Sequence, residues 1–312
     1  MALNEAWRAA LKALSYPDID LTKNYKLWRA FQDAAPALIS KISGSARDIE
    51  IAGVPVRVFT PDEGARRPGV LLFFHGGGWV TGSIVSYHTI CSHLCENTRR
   101  TVLSVGYRLA PEHRFPAGLE DCYAVTQALL SGDPAFPVAP EDVTLVGDSA
   151  GGNLAAAVSL LSLHRGGRLP RQEILFYPVT QSDFTEDSPF PSVRENGTDY
   201  LLTARMMREY LALYVREDED AKSPYLAPLY APSLRGMPPT LVVTAQYDPL
   251  RDEGEAFARR LTQEGVPTTL SRVDDALHGF LSLPPRFSQT KLGYELICNF
   301  LAETQAVPVD SR

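Results

Sequence analysis

The segment from Val143 to Leu154 constrains the fold of this chain more than any other part of the sequence. It opens with the β-forming run Val-Thr-Leu-Val, continues as Gly147-Asp-Ser-Ala-Gly151 and ends in an alanine-rich stretch typical of a helix. A strand that turns directly into a helix brings the residues two positions before and after the turn together, so side chains there would collide. Glycines at 147 and 151 remove that collision. The segment therefore predicts a strand, a sharp turn and a helix, with Ser149 in a strained conformation at the tip.

Five β-forming runs alternate with helical patterns from residue 70 onward, and they are Val70–Phe74, Thr101–Val105, Val143–Val146, Glu173–Phe176 and Thr240–Thr244. Alternation of this kind predicts a mainly parallel sheet with helices on both faces. Two further runs, 46–51 and 55–60, flank Gly53 and predict an antiparallel hairpin at one edge of the sheet. A last run, Thr268–Val273, completes an eight-stranded sheet, so the predicted fold class is α/β.

Two segments do not fit this alternation. In the first, apolar residues recur at helical intervals around Trp7 and again around Trp28 and Phe31, with breaks at prolines. The second is rich in proline and then becomes helical, with Thr203 as the predicted N-cap. Both segments are predicted to be cap elements. The expected organisation is a core of residues 46–179 and 225–312, with cap segments at 1–45 and 180–224.

Composition and charge narrow the function classes. The chain has 312 residues, of which 45% are hydrophobic and 21% charged, and these fractions are ordinary for a globular protein. Its formal net charge of −7 disfavours binding to nucleic acid or to an anionic membrane surface. Glu5, Arg8 and Lys12 interrupt the apolar stretch that a signal peptide needs, so a cytoplasmic location is expected. Four cysteines without a Cys-x-x-Cys pair predict neither a disulfide framework nor a zinc site.

A second glycine run follows another apolar strand, in the sequence His75-Gly-Gly-Gly-Trp79. Glycines let the backbone bend so that amide groups, rather than side chains, face a reacting carbonyl group. The N–H groups of Gly77 and Gly78 are therefore predicted donors to an oxyanion. The N–H of Ala150, at the start of the helix after the serine, is the third predicted donor.

A serine hydroxyl at neutral pH needs a base to become a nucleophile. Of the six histidines only His164 and His278 follow Ser149, and His164 lies within the helix that begins at the turn. His278 follows the run Thr268–Val273 and so lies in a loop at a strand end. His278 is therefore the predicted base, and His75, with the base position filled, is predicted to be structural.

The base in turn needs a carboxylate to orient it. Asp248 lies at the tip of a strongly β-forming run. Asp252 and Glu253 follow one turn later, where carboxylates near a helix start are more often caps or solvated charges. Asp248 is the predicted acid, and the other two remain alternatives.

These segments together resemble the bacterial branch of the hormone-sensitive-lipase-like esterases. The matching pieces occur in that family's order and are His75-Gly-Gly-Gly-Trp79, Tyr107-Arg-Leu-Ala-Pro-Glu112-His-Arg-Phe-Pro-Ala117, Gly147-Asp-Ser-Ala-Gly-Gly-Asn153, Asp248-Pro-Leu-Arg-Asp-Glu-Gly254 and His278-Gly-Phe280. The resemblance implies an α/β-hydrolase fold with Ser149, Asp248 and His278 as a catalytic triad. It also implies that Glu112 braces the oxyanion loop, that a helical cap covers the site and that the protein forms a homodimer.

The expected reaction is hydrolysis of a small-molecule carboxylic ester through an acyl-enzyme on Ser149, without a metal or cofactor. The resemblance implies short to medium acyl chains, and Trp28, Phe31 and Trp79 are predicted to line an apolar substrate pocket. A homodimer would form through the exposed edge of the last strand. One alternative is a hydrolase of amides, carbamates or thioesters with the same triad. Another is a non-catalytic ligand receptor on this fold, against which the presence of His278 argues.

Overall fold

The computed structural model describes residues 20–34, 45–216 and 221–305. These ranges contain an eight-stranded sheet in the spatial order β1-β2-β4-β3-β5-β6-β7-β8. The strands are β1 Ser45–Ile51, β2 Val54–Thr60, β3 Val70–Phe74, β4 Thr101–Val105, β5 Val143–Asp148, β6 Gln172–Phe176, β7 Thr240–Tyr247 and β8 Thr268–Leu277. Strands β1 and β2 form an antiparallel hairpin, β2 pairs antiparallel with β4, and the remaining pairs are parallel. The predicted α/β fold class is confirmed.

Helices cover both faces of the sheet. The α-helices within the described ranges are α1 Leu21–Ala34, α2 His88–Thr98, α3 Ala117–Leu130, α4 Ala150–Arg165, α5 Pro191–Glu195, α6 Ala204–Tyr214, α7 Arg251–Gln263 and α8 Ser288–Gln305. Helices α3, α4 and α7 pack on one face, and α2 and α8 pack on the other. Successive residues of β3 alternate between these two apolar layers, with Leu72 in the first and Leu71 and Phe73 in the second. The central strands are therefore buried on both sides, as their nearly unbroken apolar sequences require.

Helices α1 and α6 contact each other and come from the two segments outside the alternation. The backbone N–H of Leu21 donates to the Glu209 carboxylate at 3.1 Å. Thr203 is the N-cap of α6 as predicted, because its side-chain oxygen accepts from the Met206 N–H at 3.1 Å. The helix predicted around Trp7 lies outside the described residues. The division into core and cap segments stays a prediction.

Helix α1 is fixed to the loop that follows the glycine run. Arg29 donates from Nε to the carbonyl oxygen of Val80 at 2.7 Å and from Nη2 to that of Ala110 at 2.7 Å. The same guanidinium pairs with both carboxylate oxygens of Glu112, at 3.1 and 2.9 Å. Glu112 thus holds the arginine that joins α1 to the loop, which is consistent with the bracing role that the resemblance implied.

Strand β8 lies at one edge of the sheet, as expected for the last β-forming run. It is longer than predicted and reaches Leu277, directly before His278. The homodimer through this edge stays a prediction. Among the described helices, none is long and apolar enough to cross a bilayer.

Candidate active site

Ser149 occupies the single residue between β5 and α4. Its φ of 56° and ψ of −120° lie in a region that side-chain-bearing residues rarely adopt. A Cβ on Gly147 would overlap the backbone of Gly151, and a Cβ on Gly151 would overlap the carbonyl oxygen of Phe74. Both glycines are therefore required sterically, and the predicted strand, turn and helix are present.

A hydrogen-bonded chain runs from Ser149 to a buried carboxylate. The Nε2 atom of His278 lies 2.9 Å from Ser149 Oγ, and Nδ1 lies 2.8 Å from Asp248 Oδ2. The other carboxylate oxygen of Asp248 accepts from the Leu250 N–H at 2.8 Å. These three side chains meet because β5, β7 and β8 are parallel, so the loops after them emerge at the same edge of the sheet. The arrangement lets the imidazole accept the serine proton while the carboxylate orients the ring.

The alternative acids have other partners. Asp252 accepts from the Ser192 N–H at 2.7 Å and from Arg251 Nε at 2.8 Å. Glu253 accepts from the Thr180 N–H at 2.7 Å, and burial raises the pKa of its carboxyl to about 8. Both carboxyls hold neighbouring loops instead of a histidine ring.

His75 forms a hydrogen bond to the glycine loop, which comprises residues Gly76, Gly77 and Gly78. Its Nδ1 lies 2.8 Å from the carbonyl oxygen of Gly76, and burial lowers the pKa of His75 to about 4. The ring is therefore neutral at pH 7, and its Nδ1–H donates to Gly76. In a trans peptide the carbonyl and the next N–H point in opposite directions. The hydrogen bond from His75 to the Gly76 carbonyl thus sets the direction of the Gly77 N–H. The structural role predicted for His75 is therefore to orient this N–H.

Asp148 was missed as a site residue by the sequence reasoning. Its Oδ1 accepts from the Gly76 N–H at 2.8 Å, and its Oδ2 accepts from the Tyr87 hydroxyl at 3.2 Å. Burial raises the pKa of this carboxyl to about 6. Asp148 therefore ties the turn at Ser149 to the glycine loop. The available signal was a carboxylate at the end of an otherwise apolar strand, which is costly to bury without partners.

Asn196 is a second residue that the sequence did not single out. It is buried at the end of α5, and its Nδ2 donates to the backbone carbonyl of Asp248 at 3.2 Å and of Gln246 at 3.3 Å. The segment between β6 and β7 thus fixes the backbone that carries the acid.

A cavity of about 180 Å³ opens beside Ser149 and His278. Its lining residues are Trp28, Gln32, Gly77, Gly78, Tyr87, Asp148, Ser149, Leu201, Leu202, Met206, Met207, Tyr210, His278, Gly279 and Ser282. The two glycines predicted as oxyanion donors and the serine therefore face one space. Helix α6 and the residues before it supply most of the apolar wall.

Of the three aromatic residues predicted for the pocket, the structure places only Trp28 in the wall. Trp79 has 1% of its surface exposed and stacks on Tyr214 with ring centroids 4.5 Å apart, because the glycine loop turns its side chain into the core. Phe31 is 66% exposed and lies on the outer side of Trp28. The prediction that Trp79 and Phe31 line the pocket was therefore wrong. The apolar character of a side chain does not show whether it lies on the side of its loop or helix that faces the cavity.

Comparison with known proteins assigns the family. A family model described as alpha/beta hydrolase fold matches residues 71–282, more than half of the chain. The chain belongs to the α/β-hydrolase family. This α/β-hydrolase is 38% identical over 276 residues to the carboxylic ester hydrolase LipN of Mycobacterium tuberculosis, covering 85% of this chain and 72% of the relative. It is 35% identical over 246 residues to an arylesterase of Saccharolobus solfataricus, covering 77% of this chain and 78% of the relative.

Solved structures agree with this assignment. A hyperthermophilic esterase from the archaeon Pyrobaculum calidifontis superposes on this α/β-hydrolase with a TM-score of 0.84 at 32% identity, covering 98% of this chain and 99% of the other. The resemblance to hormone-sensitive-lipase-like carboxylesterases is confirmed. The expectation that the chain is a carboxylic ester hydrolase is confirmed as well.

Proposed function

We propose that this α/β-hydrolase cleaves small carboxylic esters with short to medium acyl chains, through a covalent acyl-enzyme on Ser149. The observation that carries the proposal is the chain of hydrogen bonds from Ser149 Oγ through His278 to Asp248, at 2.9 and 2.8 Å. Ser149, at one end of this chain, faces a small cavity with a largely apolar wall. An activated serine beside an apolar space suits attack on a carbonyl that carries an alkyl chain.

In the acylation step, Ser149 Oγ forms a bond to the carbonyl carbon, and His278 Nε2 takes the hydroxyl proton. The carbonyl electron pair moves to oxygen and gives a tetrahedral oxyanion. When this intermediate collapses, the bond to the leaving alkoxide breaks and His278 returns the proton to it. A water molecule then repeats the sequence on the acyl-enzyme, which releases the acid and restores the serine. Asp248 keeps the imidazole in the tautomer with the proton on Nδ1 and stabilises the imidazolium.

The oxyanion in this scheme is bound by backbone N–H groups. Ala150 is the first residue of α4, so its N–H is one of the four that have no acceptor within the helix. The helix dipole adds partial positive charge at the same place. Gly77 and Gly78 line the cavity with Ser149 and supply the other two donors. No step of this scheme calls for a metal or a cofactor.

The proposal is tested with p-nitrophenyl esters of acetate, butyrate, hexanoate and laurate, and with the p-nitroanilide of butyric acid. We expect kcat/KM to be highest for butyrate or hexanoate and at least about tenfold lower for laurate, because most of a twelve-carbon chain would extend beyond a cavity of about 180 Å³. The anilide should be cleaved more slowly than the matching ester. A preference for laurate would contradict the acyl-length proposal, and a faster anilide would make the protein an amidase.

Trp28 should select for longer acyl chains within this range, because its ring forms part of the cavity wall. Losing roughly 50 Å² of contact with the substrate, at about 25 cal/mol per Å², is worth about 1.3 kcal/mol, which is roughly tenfold. Trp28→Ala should therefore lower kcat/KM for hexanoate about tenfold and for acetate by less than about twofold.

Phe31→Ala is the matched control, since Phe31 lies one turn further on the same helix and outside the cavity. It should leave the ratio of the two rates unchanged. If Trp28→Ala lowers both rates equally and also lowers Tm, Trp28 anchors α1 and does not select substrates.

A further inference from the structure

We propose that Tyr177 is a positioning residue for the deacylation half of this reaction: its ring keeps the His278 imidazole in place after Ser149 has been acylated. The inference rests on the proposed function, in which an acyl-enzyme forms on Ser149. It assigns a part in the reaction to a buried tyrosine that contacts the catalytic histidine without lining the cavity.

The side chain of Tyr177 packs against the imidazole of His278. The two ring centroids lie 4.8 Å apart, and the ring planes make an angle of 59°. Aromatic rings at this separation are in direct contact. Tyr177 has 1% of its surface exposed, whereas His278 opens to the cavity. The imidazole therefore has the cavity on one side and a buried aromatic ring on another.

The backbone of Tyr177 sets the direction of its ring. Tyr177 directly follows β6 and has a φ of 34°, in the left-handed region that residues with a Cβ rarely adopt. Its N–H donates to the Val243 carbonyl oxygen at 2.6 Å, which holds this conformation. In a regular strand successive side chains point to opposite faces, yet Phe176 and Tyr177 both lie in the apolar layer on the side of α2 and α8. The positive φ thus interrupts the alternation at the residue that contacts His278, and such local strain is common at functional sites.

Neighbouring aromatic rings hold Tyr177 in this position. Its ring lies edge to face with Phe280, at 5.4 Å between centroids, and with Phe176, at 6.0 Å. Phe280 comes two residues after His278, so Tyr177 contacts the catalytic loop at two points. Within the described part of the chain, the Tyr177 hydroxyl has no hydrogen-bond partner. The ring, and not the hydroxyl, is therefore the part of the side chain that acts on His278.

The contact matters most in the acyl-enzyme. In the free protein, His278 Nε2 lies 2.9 Å from Ser149 Oγ and Nδ1 lies 2.8 Å from Asp248 Oδ2. Once Ser149 Oγ is esterified it has no proton to donate, so the hydrogen bond to Nε2 is lost. The bond to Asp248 holds one end of the imidazole and still allows the Nε2 end to tilt. The ring of Tyr177 limits that tilt.

The position of Nε2 decides the rate of deacylation. The oxygen of a water molecule forms a bond to the acyl carbon while Nε2 takes one of the water protons. When the tetrahedral intermediate collapses, the bond from the acyl carbon to Ser149 Oγ breaks and Nε2 returns the proton to Oγ. A displacement on the order of 1 Å in such a step can cost about 10²-fold in rate, so a partial loss of restraint should cost less.

Tyr177→Leu tests the role of the ring, because leucine stays apolar and is unbranched at Cβ. p-Nitrophenol leaves readily, so with p-nitrophenyl butyrate kcat reports deacylation and kcat/KM reports acylation. We expect kcat to fall about tenfold and kcat/KM to stay within about threefold of the parent value. Stopped-flow measurements should show a burst of about one p-nitrophenol per chain before the slower steady rate, because the acyl-enzyme accumulates.

Two further variants separate this role from a general loss of packing. Tyr177→Phe keeps the ring and should retain kcat within about twofold. Tyr294→Leu is the matched control, since Tyr294 is 2% exposed, its hydroxyl also has no partner among the described residues, and its ring lies edge-on to His93 instead of His278. Both leucine variants should lower Tm, because each leaves a space in the core. Tyr294→Leu should keep the kcat of the parent protein.

Three outcomes would overturn the proposal while the proposed function stands: an unchanged kcat in Tyr177→Leu, an equal loss of kcat in Tyr294→Leu, or a fall in kcat/KM as large as the fall in kcat. If Tyr177→Leu does not fold, Tyr177→Met retains more of the side-chain volume without the ring and should give the same kinetics. Failure of the proposed function is distinguishable, because it would appear as full activity of Ser149→Ala in the same assay.

Discussion

Replacing Ser149 with alanine is expected to lower kcat for p-nitrophenyl butyrate by about 10⁶-fold, the order seen when a serine hydrolase loses its nucleophile. Ser149 Oγ is the only atom removed, and the strained backbone at this position is held by the surrounding strand and helix. The fold should therefore persist, with Tm within a few degrees of the parent protein. Assays of both proteins, purified in parallel, measure the ratio.

A second variant, His278→Ala, tests whether Ser149 and His278 act as one unit through their 2.9 Å contact. If they do, His278→Ala should lower kcat about as much as Ser149→Ala. The double variant should be no worse than either single variant. Losses that multiply in the double variant would mean that the two residues act independently, which is incompatible with a serine activated by this histidine.

Asp248→Asn is expected to lower kcat by about 10⁴-fold. The asparagine amide can donate to His278 Nδ1, which would place the ring proton on Nε2 and prevent that nitrogen from accepting the serine proton. The negative charge that stabilises the imidazolium is lost as well. Steady-state kinetics with p-nitrophenyl butyrate measure the effect.

Asp252→Asn is the matched control for the acid. Its carboxylate bonds to Ser192 and Arg251 instead of the catalytic imidazole. We expect a loss of less than about tenfold in kcat, with a lower Tm because the loop at Ser192 is released. A larger loss in Asp252→Asn than in Asp248→Asn would mean that Asp248 is not the catalytic acid.

The parts of the site that could be predicted from sequence are those imposed by local stereochemistry and strand order. The turn at Ser149 needs small residues on both sides, and that requirement is visible in the sequence as Gly147 and Gly151. His278 and Asp248 follow β-forming runs, so a parallel sheet brings them to one edge. These inferences needed no knowledge of how distant segments pack.

The parts that could not be predicted depend on contacts between segments far apart in the chain. The apolar face of α6 was visible as a helical pattern, but the contact of Tyr210 with the glycine loop follows from a fold in which residues 78 and 210 meet. Trp79 has the aromatic character of a pocket residue, yet its backbone conformation turns it into the core. Sequence gives the chemistry of such side chains and leaves their direction open.

For Asp148, the sequence did not reveal which residues its carboxylate contacts. It lies beside Ser149 in the sequence, and its position between Gly147 and the nucleophile suggested only part of a turn. Its two oxygens instead bind Gly76 and Tyr87, which come from the loop after β3 and from the residue before α2. A polar residue at a buried strand end has to be satisfied by something, but the sequence does not say by which residues.

The most direct test of Ser149 as the nucleophile is covalent labelling with an alkyl fluorophosphonate at pH 8, followed by intact-mass measurement and peptide mapping. Only an activated serine attacks phosphorus quickly at this pH, because the hydroxyl needs a base to accept its proton. We expect one adduct per chain, located on Ser149, with loss of esterase activity in proportion to labelling and no adduct on Ser149→Ala. An adduct on another residue, or full activity of a protein labelled at Ser149, would contradict the assignment of Ser149 as the nucleophile.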